Sequence, residues 1–334
     1  MTETADPALV GIDAIRSAAA TLEGVAVRTP LVGFGRPEDR RFLKAENLQP
    51  IGAFKIRGAY VAVASLSPEE RARGVITYSS GNHAQGVARA ARLLGAPAVV
   101  VMPSDAPPIK RRRVEADGAE VVIVGTASDE RQAVAERIAA ERGLAIIPPY
   151  DDDRIIAGQG TVGLEIAEDL PDVAAVLVPV GGGGLSSGVA AALAALVPGA
   201  RVIGVEPELA ADARESLTEG RIVRWPADAV SRTIADGTRT QAIGERTFAH
   251  LSRLLHSIVT VSEAEIAAGV RIAAEEARLV VEPSGALSIA ALAFHAAELG
   301  LDGTVGPVVA VVSGGNVDPE LYLELLRAPI PPRA

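Results

Sequence analysis

Residues 75–102, VITYSSGNHAQGVARAARLLGAPAVVVM, contain one complete strand–helix–strand unit. Val75–Tyr78 is a short apolar run, a helical stretch follows as far as Leu94, and Ala98–Met102 is a second apolar run. Neither run alternates apolar with polar residues, which is typical of strands that are covered on both faces. Two such strands joined by a helix predict parallel pairing and therefore an α/β fold.

The alternation of strands and helices continues after this unit. A helix near Pro108–Ala116, a strand at Val121–Val124 and a helix at Ser128–Arg142 are predicted next. Asp151–Asp153 follows two prolines and is the clearest candidate boundary before a second α/β stretch. That stretch is predicted to contain the helix Gly158–Asp169, the strand Ala174–Val180, the helix Ser186–Leu196, the strand Val202–Val205, the loop-rich segment Arg221–Gly244, two further helices and the strand Val308–Val312.

The composition excludes several classes of function. The chain has 334 residues, a net charge of −10 and no cysteine, so disulfides, thiolate metal sites and a cysteine nucleophile are excluded. Its basic cluster, Lys110–Arg113, is predicted to be a solvated helix start, and nucleic-acid binding is not expected. No apolar run reaches the ~20 residues of a membrane span, and the N-terminus lacks an apolar signal region. We expect a cytoplasmic protein without a membrane partner.

Residues 42–60, FLKAENLQPIGAFKIRGAY, place a lysine where a loop becomes a helix. Pro50 and Gly52 interrupt regular structure, and helical residues resume at Ala53. The positive end of a helix disfavours the ammonium form of Lys55, and apolar neighbours act in the same direction. A neutral amine is the nucleophile that Schiff-base chemistry needs. The alternative is a solvated lysine without a chemical role.

Gly181–Gly184 lie between an apolar strand and a helix. Backbone amides at a helix start bind anions, and glycine lets a phosphate approach the backbone closely. We therefore predict a phosphate site here, with a tight turn as the alternative. A dinucleotide site is a further alternative, because Gly182, Gly184 and Gly188 approximate a glycine fingerprint and Glu206 ends the next strand. The spacing departs from G-x-G-x-x-G, so we favour phosphate binding over an NAD-dependent oxidoreductase.

Two other strand ends carry polar residues. The turn Ser79–Gly86 can hold a carboxylate on amides and hydroxyls, or supply Ser80 as an acid or base, and N-capping by a serine is the alternative. His83 is interpreted as a structural hydrogen-bonding residue rather than a catalytic one. Ser313 ends a buried strand, where a hydroxyl meets a ligand at the switch point of an open sheet, and the alternative is a plain turn.

Glu206 and Asp212 are close in the sequence. With a backbone carbonyl between them they can bind a hard cation. From the spacing alone, a solvated acidic loop is an equal alternative.

Taken together, these motifs occur in a recognisable order: Gly52–Gly58, Ser79–His83, Gly181–Gly184, Glu282–Gly285 and Ser313–Asn316. Over nearly its whole length the chain closely resembles the serine/threonine dehydratase and serine racemase family of pyridoxal-phosphate enzymes. The resemblance implies fold type II, the tryptophan synthase β-like α/β architecture of two open, mainly parallel twisted sheets with helices on both faces. It also implies a large PLP-binding domain of residues 1–73 and 152–334, and a small mobile domain of residues 74–151.

The resemblance implies a role for each motif. Lys55 would form the internal aldimine with pyridoxal 5′-phosphate (PLP) and move the α-proton, and Ser80 would act on the opposite face. The cofactor would be held by Phe54, Lys55, Asn82, Gly181, Gly182, Gly183, Gly184, Leu185 and Ser313. The substrate carboxylate would be surrounded by Ser79, Ser80, Asn82 and His83. A divalent cation (Mg, Ca or Mn) would be bound by Glu206, the carbonyl of Ala210, and Asp212.

The resulting hypothesis is a PLP-dependent L-threonine/L-serine ammonia-lyase, which releases a 2-oxo acid and ammonia by α-proton abstraction and β-hydroxyl elimination. Serine racemase and 3-hydroxyaspartate dehydratase are alternatives within the family, and an NAD-dependent oxidoreductase is the alternative from another class. The partner is a small hydroxy-amino acid, and the family leads us to expect a homodimer.

Overall fold

The computed structural model describes residues 8–79, 81–104, 106, 108–125, 128–303 and 306–332. Ser80 lies outside these described residues. The strands are β1 (Leu31–Phe34), β2 (Arg41–Ala45), β3 (Val75–Tyr78), β4 (Ala98–Pro103), β5 (Glu120–Val124), β6 (Ala145–Ile146), β7 (Ala175–Pro179), β8 (Arg201–Pro207), β9 (Ser257–Val261) and β10 (Val308–Val312). They form a six-stranded sheet in the order β1-β2-β10-β7-β8-β9 and a four-stranded sheet in the order β5-β4-β3-β6.

Helices connect and cover these strands. They are α1 (Ile12–Thr21), α2 (Lys55–Ala64), α3 (Pro68–Arg73), α4 (Asn82–Leu94), α5 (Pro108–Ala116), α6 (Ser128–Arg142), α7 (Asp153–Asp169), α8 (Gly184–Leu196), α9 (Asp212–Glu219), α10 (Ala227–Val230), α11 (Glu245–Leu254), α12 (Glu263–Ile272), α13 (Pro283–Phe294) and α14 (Pro319–Leu325). Among the described residues, no helix has both the length and the apolar character that a bilayer crossing requires.

The larger sheet is parallel except for the antiparallel pairing of β1 with β2. Its two faces are both apolar. Val308, Ala310 and Val312 belong to the core shared with α12 and α13. Val309 and Val311 belong to the core shared with α7 and α8. Because both faces are covered, β10 is an unbroken apolar run, as the sequence predicted.

The smaller sheet is entirely parallel. Val100 and Met102 of β4 pack in the core that includes α4, and Val99 and Val101 pack in the core that includes α6. The predicted fold class is therefore confirmed: two mainly parallel sheets carry helices on both faces. The strands of the smaller sheet come from residues 75–146, and the motion of residues 74–151 as a unit stays a prediction.

The structure contains a strand that the sequence analysis missed. After the loop-rich segment we predicted two helices and a strand, but α11, β9, α12 and α13 all precede β10. The run Ser257–Val261 is short and buries only alternate residues, as expected for a strand at the edge of the sheet. Short apolar runs of this kind do not distinguish strand from helix.

The prediction that Lys110–Arg113 is a solvated helix start is wrong for Lys110 only, since Arg111, Arg112 and Arg113 are exposed. Lys110 is buried and its ammonium pairs with Asp236, and the guanidinium of Arg113 donates to Asn316. Both partners lie far along the chain, so their positions were not readable from the local sequence. These contacts join α5 to the segments that follow α10 and β10.

Candidate active site

Lys55 begins helix α2, beside the carboxyl end of β10. The Phe54 amide donates to the carbonyl of Ser313 at 3.1 Å, and Ala53 forms an isolated bridge with Gly314. These two contacts fix the loop in front of the helix to the end of the sheet. The lysine is therefore held by backbone contacts on one side and opens towards a cavity on the other.

The amine of Lys55 has a carbonyl as its hydrogen-bond acceptor. Lys55 Nζ donates to Pro149 O at 2.7 Å and lies 5.1 Å from the centre of the Phe54 ring. Burial lowers the pKa of Lys55 to about 8. This direction agrees with the expectation from the sequence, because a buried ammonium loses hydration that a carbonyl only partly replaces.

Gly181–Gly184 follow β7 and lead into α8. Gly183 has a φ of +89°, which favours glycine. No described side chain caps the first turn of α8, so its free amides are directed at the end of the loop, where an anion can bind. The loop lines the same cavity as Lys55.

Gly182 and Gly188 are glycines for packing reasons. A Cβ on Gly182 would overlap the Tyr150 ring, and a Cβ on Gly188 would overlap the carbonyl of Ile156 where α8 crosses α7. The glycine pattern that resembled a dinucleotide fingerprint therefore has a structural explanation. Glu206, the proposed ribose acid of that alternative, is buried and accepts the amides of Ala213 and Arg214.

Asn82 is the first residue of α4 and belongs to a polar cluster. Its side-chain amide donates to Glu282 at 2.6 Å, and its oxygen accepts from Asn316 at 2.9 Å. Burial and the charge of Asp236 raise the pKa of Glu282 to about 7. Because an amide group has two N–H donors, Asn82 retains one donor for a ligand.

His83 is buried and its Nε2 lies 3.0 Å from the carbonyl of Ile147. Burial and the nearby charge of Lys55 lower its pKa to about 3. The ring is therefore neutral, with Nε2–H donating and Nδ1 an acceptor. Such a ring has no free N–H to donate to a carboxylate. Of the groups of His83, only the backbone amide can therefore bind a substrate carboxylate.

Two serines of the predicted site are described. Ser79 Oγ accepts the Gly81 amide at 3.3 Å, and Ser313 Oγ donates to Ser284 O at 3.4 Å. The second contact is long, so the Ser313 hydroxyl is weakly engaged. Both residues line the cavity.

The cavity has a volume of about 230 Å³. The structure brings together there most of the predicted residues, namely Phe54, Lys55, Ser79, Asn82, His83, Gly181, Gly182, Gly183, Gly184, Leu185 and Ser313. It adds residues that the sequence analysis did not place in the site, including Lys110, Arg131, Pro149, Tyr150, Arg224, Asp236, Arg239 and Glu282. Only Glu282 carried a sequence signal, because it begins one of the motifs.

Glu206, Ala210 and Asp212 do not line this cavity. All three are buried, and neither carboxylate oxygen of Asp212 has a hydrogen-bond partner in the described structure. Burial and the charge of Asp212 raise the pKa of Glu206. Burial raises the pKa of Asp212 to about 7. The buried Asp212 carboxylate, whose oxygens have no partner, beside the buried Glu206 fits a divalent cation.

The comparison with known families decides between the alternatives. A family model described as pyridoxal-phosphate dependent enzyme matches residues 22–314. The chain belongs to this family. As a PLP-dependent enzyme it has the components that its cofactor needs, namely a half-buried lysine with a lowered pKa and an uncapped helix start in one cavity. The NAD-dependent alternative is wrong.

Individual members of this family are similar to the chain over most of its length. L-threo-3-hydroxyaspartate ammonia-lyase of Saccharomyces cerevisiae is 43% identical over 286 residues, which cover 85% of this chain and 85% of that protein. L-threonine ammonia-lyase of Thermotoga maritima is 42% identical over 314 residues, covering 93% of this chain and 76% of that protein. The solved structure of maize serine racemase has a TM-score of 0.89 and 35% identity, covering 95% of this chain and 97% of that one. The predicted family and fold type II are confirmed.

Proposed function

We propose that this PLP-dependent enzyme is an ammonia-lyase that converts L-threonine and L-serine to 2-oxo acids and ammonia. The observation that carries the proposal is the placement of the Lys55 amine, with a pKa of about 8, in one cavity with the glycine loop. L-threonine ammonia-lyases among the relatives support the reaction type.

Each residue has a distinct task in this proposal. Gly181–Gly184 and Leu185 would hold the phosphate on backbone amides, and Phe54 would pack beside the ring. Asn82 would donate its second N–H to the phenolic oxygen of the cofactor, and Ser313 would offer a hydroxyl to the pyridine nitrogen. When bound, PLP withdraws electrons from the substrate α-carbon. Lys55 in its neutral form takes the α-proton at Nζ, for which a pKa near the working pH is well suited.

The substrate carboxylate is proposed to bind at the turn that begins α4. The Ser79 hydroxyl and the backbone amides of Asn82 and His83 supply neutral donors there. Ser80, the proposed group on the opposite face, lies outside the described residues. A hydroxyl there would also permit racemization, so the test includes an assay for D-serine.

A second candidate substrate is 3-hydroxyaspartate. The observation that favours it is the presence of Arg131, Arg224 and Arg239 in the cavity wall. L-threonine carries only a methyl group where 3-hydroxyaspartate carries a second carboxylate. A second carboxylate would be attracted to these guanidinium groups. The 43% identical yeast relative, a 3-hydroxyaspartate ammonia-lyase, supports the same candidate.

The test compares wild type with Lys55→Ala on L-threonine, L-serine and L-threo-3-hydroxyaspartate. We expect ammonia and 2-oxo acid from the wild type, and no turnover from the variant, because the other lysine described in the cavity wall, Lys110, is paired with Asp236. The ratio of kcat/KM values identifies the preferred substrate. Turnover by Lys55→Ala, or D-serine as the main wild-type product from L-serine, would overturn the lyase proposal.

We also propose that Glu206, Asp212 and the Ala210 carbonyl bind a divalent cation. A cation would supply the partners that the Asp212 oxygens lack. Treatment with a chelator should lower the melting temperature, and Mg²⁺ or Ca²⁺ should restore it. An Asp212→Asn variant should not respond to either addition, and a wild type that ignores the chelator contradicts the site. A homodimer, a cytoplasmic location and closure of residues 74–151 stay predictions.

A further inference from the structure

Three consecutive residues between β6 and α7, Pro149, Tyr150 and Asp151, are called the strap here. The Pro149 carbonyl accepts a hydrogen bond from Lys55 Nζ at 2.7 Å. Proline has no N–H, so at this position the strap offers the lysine only an acceptor. The backbone of the strap is thus in direct contact with the reactive amine.

Tyr150 attaches the strap to the glycine loop. Its ring fills the space that a side chain at Gly182 would take, and its backbone lies against Gly184. The hydroxyl donates to Ala242 O at 3.2 Å. Burial raises the pKa of Tyr150, so the hydroxyl keeps its proton and remains a donor.

Asp151 attaches the strap to helix α11. Its carboxylate accepts the backbone amides of Glu245, Arg246 and Thr247 at 3.2, 2.8 and 3.2 Å. A Cβ at Gly244 would overlap this carboxylate, so the helix start and the strap fit closely. A charged acceptor at a helix start is a strong contact, because it satisfies free amides and meets the positive end of the dipole.

We propose that Tyr150 and Asp151 are positioning residues for Lys55 and act through the Pro149 carbonyl. Two attachments fix the carbonyl, one from Tyr150 to the glycine loop and Ala242 and one from Asp151 to the start of α11. The carbonyl then gives the free amine a single location whenever it is not bonded to the cofactor. A long lysine side chain without such an acceptor samples many rotamers. The proposal rests on the proposed function only in that Lys55 moves the α-proton.

The first test measures the rate at which Lys55 bonds to PLP in the absence of substrate. PLP-free wild type, Asp151→Ala and Tyr150→Phe are mixed with PLP, and bond formation at Lys55 is followed by visible absorbance. We expect the rate to fall about tenfold in Asp151→Ala and about threefold in Tyr150→Phe, because the amine is less well oriented. The affinity for pyridoxine 5′-phosphate, which cannot bond the lysine, should change less than about twofold, since the glycine loop is intact.

Ser262→Ala is the matched control. Ser262 caps the ten-residue helix α12 by accepting the Glu265 amide, and it does not line the cavity. This variant should lose helix-capping stability but keep the wild-type rate of PLP bonding. A loss of rate in Ser262→Ala equal to that in Asp151→Ala would show a general stability effect and overturn the proposal. Unchanged rates in both strap variants would overturn it too.

The second test separates this proposal from the lyase proposal. L-alanine has no β-hydroxyl, so exchange of its α-proton in D₂O reports proton movement by Lys55 without elimination. We expect the kcat for exchange to fall in Asp151→Ala and Tyr150→Phe while KM stays near the wild-type value. A wild type that exchanges L-alanine but releases no ammonia from hydroxy-amino acids would refute the lyase proposal alone. Exchange at the wild-type rate in both variants would refute the strap proposal alone.

Discussion

Helix α2 carries two cations at its start whose surroundings differ completely. Arg57 faces the interior and pairs with Glu46 at 2.8 Å and Glu165 at 2.7 Å, while Lys55 faces the cavity and donates to a carbonyl. Burial alone would lower the pKa of Arg57, but the charges and hydrogen bonds of Glu46 and Glu165 raise it. Burial without a carboxylate lowers the pKa of Lys55. The partner, rather than burial, decides whether a cation is structural or reactive.

On the side of α2 that faces the protein interior, positive and negative side chains balance one another. Lys44 also donates to Glu165, at 2.5 Å, and to the Thr29 carbonyl. Glu46 accepts from Thr29 Oγ1 as well as from Arg57. Two cations and two carboxylates thus compensate one another among β2, α2 and α7, which fixes α2 from the side opposite the cavity.

The largest expected effect comes from Arg57→Met. The substitution leaves Glu46 and Glu165 buried without their main cation, which should lower the free energy of unfolding by about 3–5 kcal/mol. Urea unfolding at pH 7 measures it. Arg137→Met is the matched control, because Arg137 pairs with Glu141 on the exposed face of α6 and should change stability by about 0.5 kcal/mol or less. A loss below about 1 kcal/mol in Arg57→Met would mean that hydration or rearrangement replaces the arginine.

The reactive residue of this helix could be predicted from the sequence, but the residues that surround it could not. Lys55 and the glycine loop were predictable because they occur in an ordered set of motifs that resembles a known enzyme family, whereas each motif alone left a structural alternative open. Pro149 and Tyr150 were missed, since contact with Lys55 and Gly182 depends on how the two sheets come together. The roles of Arg57 and Glu46 were missed for the same reason, because a charged residue in the sequence gives no sign that it is fully buried.

On the cavity side of α2, Lys55→Ala should change how the free energy of unfolding depends on pH. In the folded protein the pKa of Lys55 is about 8, below the 10.5 of an ordinary lysine. The folded state therefore disfavours the ammonium, and at pH 7 the PLP-free variant should be at least as stable as PLP-free wild type. Above pH 8 wild type should recover this difference progressively, and the recovery is complete only above pH 10.5, where the lysine is neutral in both the folded and the unfolded state. Urea unfolding at several pH values checks the sign, and a variant that is destabilised at pH 7 contradicts it.

The smallest expected effect is on the pH at which the rate of PLP bonding levels off. The rate at which PLP-free wild type bonds PLP should rise with pH and level off above about 8, because only the neutral amine of Lys55 attacks. An ordinary lysine would keep gaining rate towards pH 10.5. Arg57→Lys provides the comparison, since it retains a cation among the acids and leaves the cavity unchanged, so its profile should match wild type. A wild-type rate still rising at pH 10 would mean that Lys55 is hydrated like a surface lysine, and the contrast between the two sides of α2 would not hold.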